Sequence, residues 1–317
     1  MQAVKRTHVG AAPWGVAALV VVVVLIAIIM AGRTRTMDTN PAALASQLSA
    51  TSALLIEADS GRVLFAKNAD RRLPPASLTK LMTVLLAMEA VDDGRAKLVD
   101  RVVVSRRAAS TGGSRVWIDA GERFTLEQLL ESAMIASAND SAVAVAEHLA
   151  GSEEAFVRRM SRRAQKLGMD GTVFVNATGL PQDAASREGY TTARDMACLA
   201  REVLRHPAVL EWSRVQSKVF RTHPAFVMSN TNQLVGSYRG CDGLKTGHTD
   251  TAGYHLVATA RSGGVRLICV VMQAQSRESA ASQAARLLDY GYRIVGAAAD
   301  VKVLPDRASA GDLERVI

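Results

Sequence analysis

The 317-residue sequence predicts an α/β fold, with an antiparallel sheet flanked by helices, a helical lobe beside it, and a single-pass helix ahead of both. Three observations predict it. Two apolar hairpin patterns lie far apart in the chain, at residues 53–66 and 254–273. Several helix starts run between them, each opened by a Ser or Thr that can cap the first turn. Residues 11–32 carry no charge.

The uncharged stretch, Ala11 to Gly32, would extend roughly 33 Å as a helix, enough for a hydrocarbon core of about 30 Å. Trp14 sits at one edge, where an interfacial aromatic belongs. A cleavable signal has an apolar core of about 7 to 15 residues with a small-x-small site close behind it. Here the core is longer, and the nearest Ala-x-Ala, Ala43 to Ala45, comes late. The expectation is therefore an uncleaved transmembrane signal anchor at 11–32 in preference to a cleaved signal, followed by a linker at 33–50. A buried core helix is disfavoured because the segment is apolar all round. Lys5 and Arg6 precede it and Arg33 and Arg35 follow, so flanking charge leaves its orientation open.

The first hairpin runs from Ala53 to Ala58 and from Val63 to Ala66, around Asp59-Ser60-Gly61-Arg62. Leu73-Pro74-Pro75 ends it, and a helix is expected from about Ser77 to Val91, closed by Asp92-Asp93-Gly94. Thr125 to Gln128 has the capping-box pattern ahead of Leu129 to Ile135, and a further apolar helix is expected over Ser141 to Leu149. Ser152-Glu153-Glu154 puts a cap and two acids at the positive end of a helix stopping near Leu167-Gly168. Thr192 opens another, through His206. The second hairpin turns at Ser262-Gly263-Gly264, and Leu287 to Ile294 reads as a closing helix. One domain is expected over 51–296, with 297–317 a short tail and no second domain.

A net charge of +8 and an isoelectric point near 9.7 suggest an anionic partner, but the pattern argues against nucleic acid. No run of five or six like charges occurs, and the basic residues lack interleaved aromatics. Of 38 basic residues only 8 are lysines, so arginines spread along a solvated surface account for most of the charge. Loose attraction to anionic lipid head groups or an acidic polymer is the functional counterpart. The three cysteines, Cys198, Cys241 and Cys269, form neither a disulfide framework nor metal-ligand spacing. Cys269 falls in a strand-like core run, whereas Cys241 is expected within reach of thiol reagents. No metal or organic cofactor is implied.

Three short segments carry chemistry. Ser77-Leu78-Thr79-Lys80 is the one Ser-x-x-Lys in the chain. Residues three apart share a helix face, which lets Oγ of Ser77 meet Nζ of Lys80. A serine hydroxyl needs a neighbouring base, and lysine serves as one only when burial or another cation lowers its pKa. Alone, the tetrapeptide equally fits a helix cap followed by a surface lysine. Ser137-Ala138-Asn139 lies between two apolar helices, where it either caps the second or points into a cleft. Lys245-Thr246-Gly247-His248 precedes the second hairpin. A cation, a hydroxyl and a glycine at a sheet edge suit a carboxylate, although an ordinary turn would also read this way.

In this order the three match the S-x-x-K, S-x-N and K-T-G set of penicillin-binding proteins and class A β-lactamases. From about Ser52 to Ile294 the chain resembles the low-molecular-mass D-alanyl-D-alanine carboxypeptidases. Pro75 to Lys80, Ala138-Asn139-Asp140, Thr178-Gly179-Leu180, Thr192 to Met196, Asn230-Thr231-Asn232 and Asp242 to Thr249 carry the resemblance. It implies the penicillin-recognising fold, with the cleft between the sheet and a lobe holding Ser137 to Asn139. It implies Ser77 as nucleophile on the bond between terminal D-alanines, Lys80 as its base, and Ser137 and Asn139 relaying protons and holding the substrate amide. Lys245 and Thr246 would bind the terminal carboxylate, Gly247 would admit it, and the backbone of Ser77 and His248 would form the oxyanion hole. The implied partners are the peptidoglycan stem peptide, β-lactams as covalent inhibitors, and the cytoplasmic membrane, with residues 1–10 cytoplasmic and the catalytic domain on the extracytoplasmic side.

Two departures accompany the resemblance. Ala280 stands where the family usually has an arginine, and Arg277 is the expected substitute on the substrate-binding side. Larger members also carry a C-terminal β-domain, for which no room is expected here. The Glu-x-x-Leu-Asn of class A β-lactamases is absent from the sequence. A D,D-endopeptidase acting on cross-links, or a penicillin-acylated wall-binding scaffold with poor turnover, stand as alternatives.

Overall fold

The computed structural model describes residues 40–181 and 189–296. The expected anchor at 11–32, the N-terminal residues 1–10, most of the expected linker and the tail 297–317 lie outside the described residues. Among the described residues no helix is long and apolar enough to cross a membrane. The chain divides into two units, Met1–Leu44 and Ala45–Ile317. Of the first, the described part is the opening of a short helix, α1 (Pro41–Gln47).

The second unit continues with β1 (Ser52–Glu57), β2 (Val63–Lys67), a single 3₁₀ turn (Ala76–Thr79) and α2 (Lys80–Asp92). Then come β3 (Arg101–Val103), α3 (Arg106–Ser110), β4 (Arg123–Thr125), α4 (Leu126–Ile135), α5 (Asn139–Ala150) and α6 (Glu153–Lys166). After them follow α7 (Ala193–Val203), α8 (Pro207–Ser213), β5 (Ser217–Thr222), β6 (Ala225–Ser229), β7 (Cys241–Thr249), β8 (Gly253–Ser262), β9 (Val265–Ala274) and α9 (Arg277–Ile294).

The main sheet is five-stranded and antiparallel, in the order β2-β1-β9-β8-β7. The two expected hairpins are both present. They join because β1 pairs with β9, Ser52 opposite Met272 and Glu57 opposite Leu267. The first five residues of β1 are buried, which is why its sequence is a continuous apolar run. Alternate side chains serve opposite faces. Leu54, Ile56, Val270 and Met272 join the core of the helical lobe. Leu55 and Leu267 face α9, whose Gly291 lies so close that a Cβ there would sit 2.6 Å from Leu55 Cδ2 and 2.7 Å from Leu267 Cδ1. Along α2, Leu81, Met82, Val84, Leu85, Ala87 and Met88 are buried nearly all round the helix. It is the central helix of the lobe.

The caps behave as their sequences predict. Thr125 and Gln128 form a full capping box, and Ser152 and Thr192 accept from the amides of Ala155 and Asp195. Several elements differ from expectation. Ala76 has a positive φ of 46°, so Ser77 sits in a 3₁₀ turn and the α-helix begins only at Lys80. The helix expected through His206 ends at Val203, because Pro207 starts a new one at the position proline favours. The closing helix starts at Arg277, capped by Ser276, and its small alanines conceal that start in the apolar pattern. The end of the expected linker is packed: Leu48 and Ala50 are buried, and the Ala50 amide donates to Gln283 Oε1 at 2.8 Å.

Candidate active site

Pro74 and Pro75 bring the chain to the nucleophile segment without backbone N–H groups of their own. Leu78 N–H donates back to Pro75 O at 3.2 Å, closing the turn on which Ser77 sits. In a 3₁₀ turn residues three apart eclipse, a better alignment than the α-helix expected from the sequence. Lys80 Nζ lies 2.9 Å from Ser77 Oγ and 3.0 Å from the carbonyl of Thr178. Its side chain is fully buried. Burial pulls the Lys80 amine well below the usual lysine range, neighbouring Lys245 pulls it the same way, and Asp140 opposes both. A neutral amine beside the hydroxyl can take its proton.

The Thr178 carbonyl is held by a tight loop. Asn176 Oδ1 accepts from the amides of Thr178 and Gly179, at 3.1 and 2.6 Å, and Asn176 Nδ2 donates to Leu180 O. Gly179 has φ +80°, and a Cβ there would lie 1.8 Å from Ala76 O. No other residue fits between this loop and the nucleophile turn.

Ser137 occupies the corner between α4 and α5 with φ +61° and is almost fully buried. Asn139 opens α5, donates its amide to Ser114 O and its Nδ2 to Gly112 O, both at 2.8 Å. Its Oδ1 is buried without a protein partner. Next to it Asp140 accepts from the amides of Val116, Trp117, Ile118 and Ser141, binding the 114–118 loop to the start of α5. Burial raises its carboxyl pKa and these four amides hold it back.

Lys245, Thr246, Gly247 and His248 fall within β7, the edge strand of the sheet, not in a turn before it. The glycines and charges of this strand hide its period in the sequence. Lys245 is buried, burial lowers its pKa to about 7, and its Nζ lies 2.9 Å from Ser137 Oγ. Thr246 Oγ1 meets Thr231 Oγ1 at 2.6 Å. Gly247 passes the nucleophile turn so closely that a Cβ would be 3.2 Å from Pro75 O and 3.3 Å from Leu78 N. His248 is exposed and stacks on Tyr254, ring centroids 4.0 Å apart.

These groups surround one cleft, with Ser77, Ser137, Thr246, Gly247 and His248 in its wall. Arg277 and Ala280 line the same cleft from the first turns of α9. Lys80 and Lys245 reach it from behind, through their serine partners. Ser114, Thr231 and His255 also line it and were not singled out as site residues. Long-range packing that no local spacing encodes brings them there, although the Asn230-Thr231-Asn232 motif is visible in the sequence. Cys241 is a poor target for thiol reagents, since burial pushes its thiol up to about 12.

The sheet-and-lobe arrangement is the α/β fold of the penicillin-binding proteins. The chain belongs to the D-alanyl-D-alanine carboxypeptidase family, whose model matches residues 37–276. It is 42% identical over 245 residues to the D-alanyl-D-alanine carboxypeptidase DacF of Bacillus subtilis, covering 77% of this chain and 62% of that one. It thus spans about three-fifths of that relative's length. Among solved structures it resembles the carboxypeptidase DacD of Francisella tularensis, with a TM-score of 0.72, 31% identity, and coverage of 77% and 70% of the two chains. Penicillin-binding protein D2 of Listeria monocytogenes, solved in its ampicillin-bound form, matches with a TM-score of 0.70 and 33% identity over 77% of this chain and 98% of that one.

Proposed function

We propose that the protein is a serine-type D-alanyl-D-alanine carboxypeptidase that removes the terminal D-alanine from a peptidoglycan pentapeptide. The observation that carries this is the 2.9 Å contact between the cleft residue Ser77, at Oγ, and the buried Lys80 amine behind it, with Lys245 held behind Ser137 in the same way. Ser77 Oγ attacks the carbonyl carbon between the two D-alanines and its proton passes to Lys80. The proton then reaches the leaving D-alanine nitrogen, directly or through Ser137, as the C–N bond breaks. A water completes the cycle on the ester, releasing the shortened peptide and restoring Ser77. Asn139 Oδ1 accepts from the substrate amide. Lys245 and Thr246 hold the terminal carboxylate, with Arg277 reinforcing the positive wall, and the amides of Ser77 and His248 receive the oxyanion. One such donor is worth about 2.7–4 kcal/mol of barrier.

β-Lactams acylate the same serine, a reading supported by the ampicillin- and cefotaxime-bound forms of the Listeria protein. The uncharged segment 11–32 anchors the chain in the cytoplasmic membrane, residues 1–10 stay inside, and the domain at 51–296 faces the wall. The length of that segment and the extracytoplasmic substrate support this arrangement. The test is incubation of the full chain in mild detergent with a pentapeptide and with fluorescent penicillin. D-alanine release and labelling are expected, both lost in Ser77→Ala. Labelling without D-alanine release would overturn the carboxypeptidase reading in favour of an endopeptidase or a scaffold.

A further inference from the structure

His255 is buried in the wall of the cleft, in β8, where the pairing with β9 is irregular. Tyr254 lies opposite Ala274 and Leu256 opposite Val271, so β9 carries an extra residue across from His255. That residue region includes Gln273, whose φ of +58° is uncommon for a side-chain-bearing residue. The Gln273 amide donates to His255 Nδ1 at 2.8 Å. A ring nitrogen that accepts carries no proton, so in the neutral ring the proton is on Nε2. Nε2 lies 2.9 Å from the carbonyl oxygen of Pro74 and donates to it. One tautomer satisfies both contacts. Burial lowers the His255 pKa to about 4, which keeps the ring neutral near pH 7.

The Pro74 carbonyl is a significant anchor point. Pro74 and Pro75 have no N–H to give, so this stretch can be tied only by its carbonyls or by side-chain packing. Pro75 O serves the turn itself by accepting from Leu78. Pro74 O is the carbonyl that reaches out of the turn, and the group it reaches is on the central sheet. We infer that His255 is a positioning residue for the nucleophile, fixing the Ser77 turn against the sheet by donating from Nε2 to Pro74 O. This rests on Ser77 being the acylated residue.

Two substitutions separate the two ends of the ring. Glutamine places an amide nitrogen near the position of His Nε2, so His255→Gln keeps a donor for Pro74. Asparagine places its amide near Nδ1, so His255→Asn keeps an acceptor for Gln273 and loses the Pro74 bond. The full chain and both variants are compared in mild detergent for the acylation rate by fluorescent penicillin, for kcat and KM of D-alanine release, and for Tm. His255→Asn is expected to acylate at least tenfold more slowly, through kcat and with KM little changed. His255→Gln should stay within about threefold of the parent. Equal rates for the two variants, or a loss confined to His255→Gln, would overturn the inference. Should His255→Asn not fold, ¹⁵N-histidine spectra of the parent chain decide, since a His255 protonated on Nδ1 cannot make the proposed contact. Failure of the Ser77 reading looks different, because the parent chain would then not label at all.

Discussion

Removing the Asp140 carboxylate tests how the site is held more sharply than removing any group in the cleft. Its two oxygens accept from four backbone amides, three of them on the buried residues Val116, Ile118 and Ser141. An orphaned buried donor costs about 1–3 kcal/mol, and water entering the vacated space recovers part of that. Asp140→Ala is therefore expected to destabilise the fold by about 3–5 kcal/mol. Asp140→Asn keeps one acceptor oxygen but turns an amide N–H₂ towards a backbone N–H, losing one charge-assisted bond, about 1.5–3 kcal/mol. The 114–118 loop also receives the Asn139 amide, so loosening it should displace Asn139 and slow acylation about 10- to 100-fold. Urea unfolding followed by tryptophan fluorescence is the assay, with Trp117 in the affected loop as reporter, alongside the rate of penicillin labelling. If Asp140→Ala unfolds within about 1 kcal/mol of the parent and labels at the same rate, the account of this carboxylate as the tie between loop and helix is wrong.

Gly179→Ala should lose about 2–5 kcal/mol and most acylation activity, because the residue is left-handed and its Cβ would overlap Ala76 O; chemical denaturation and labelling read both. Acid stability should depend on His255. The unfolded ring binds a proton from about pH 6.5 downward and the folded one only near 4, so stability falls as the pH drops through that window, by roughly 3 kcal/mol relative to His255→Gln. Lys245 acts in the alkaline range. Folded, it releases its proton near pH 7 and unfolded near 10.5, so between those values the unfolded chain holds more protons and stability rises with pH. Unfolding curves should show the parent gaining on Lys245→Met by roughly 1.4 kcal/mol per pH unit above 7.

The parts of the site that were legible in the sequence are those whose chemistry demands a fixed local spacing. Ser77 and Lys80 meet because they lie three positions apart, and Ser137 and Asn139 lie at a junction between two apolar helices that composition alone marks out. The hairpins and caps were readable for the same reason, since they obey short periods and short motifs. What stayed hidden is long-range. Nothing near Thr178 announces that its carbonyl meets Lys80, and nothing near Tyr254 announces that the next ring grips Pro74. Strand β7 escaped because two glycines, a lysine, a histidine and an acid in nine positions break up its alternation. The 3₁₀ turn under Ser77 follows from a backbone twist at Ala76 that an alanine does not advertise.

The pairing of β1 with β9 has a consequence for how the chain reaches this state. The strand laid down first in the domain pairs at once with β2 but meets its second partner, β9, only after most of the domain has been synthesised, and sheets closed by such distant pairings form slowly. The same delay applies to the chemistry. The Lys80–Thr178 contact spans 98 positions, Lys245–Ser137 spans 108, and His255–Pro74 spans 181. A polypeptide stopped before Val265 contains both Ser77 and Lys245 yet lacks the strand that β1 and β8 both lean on. On the proposed mechanism, reactivity at the serine is a late event in the life of each molecule, expected when the last strand docks and not when the last side chain of the site emerges.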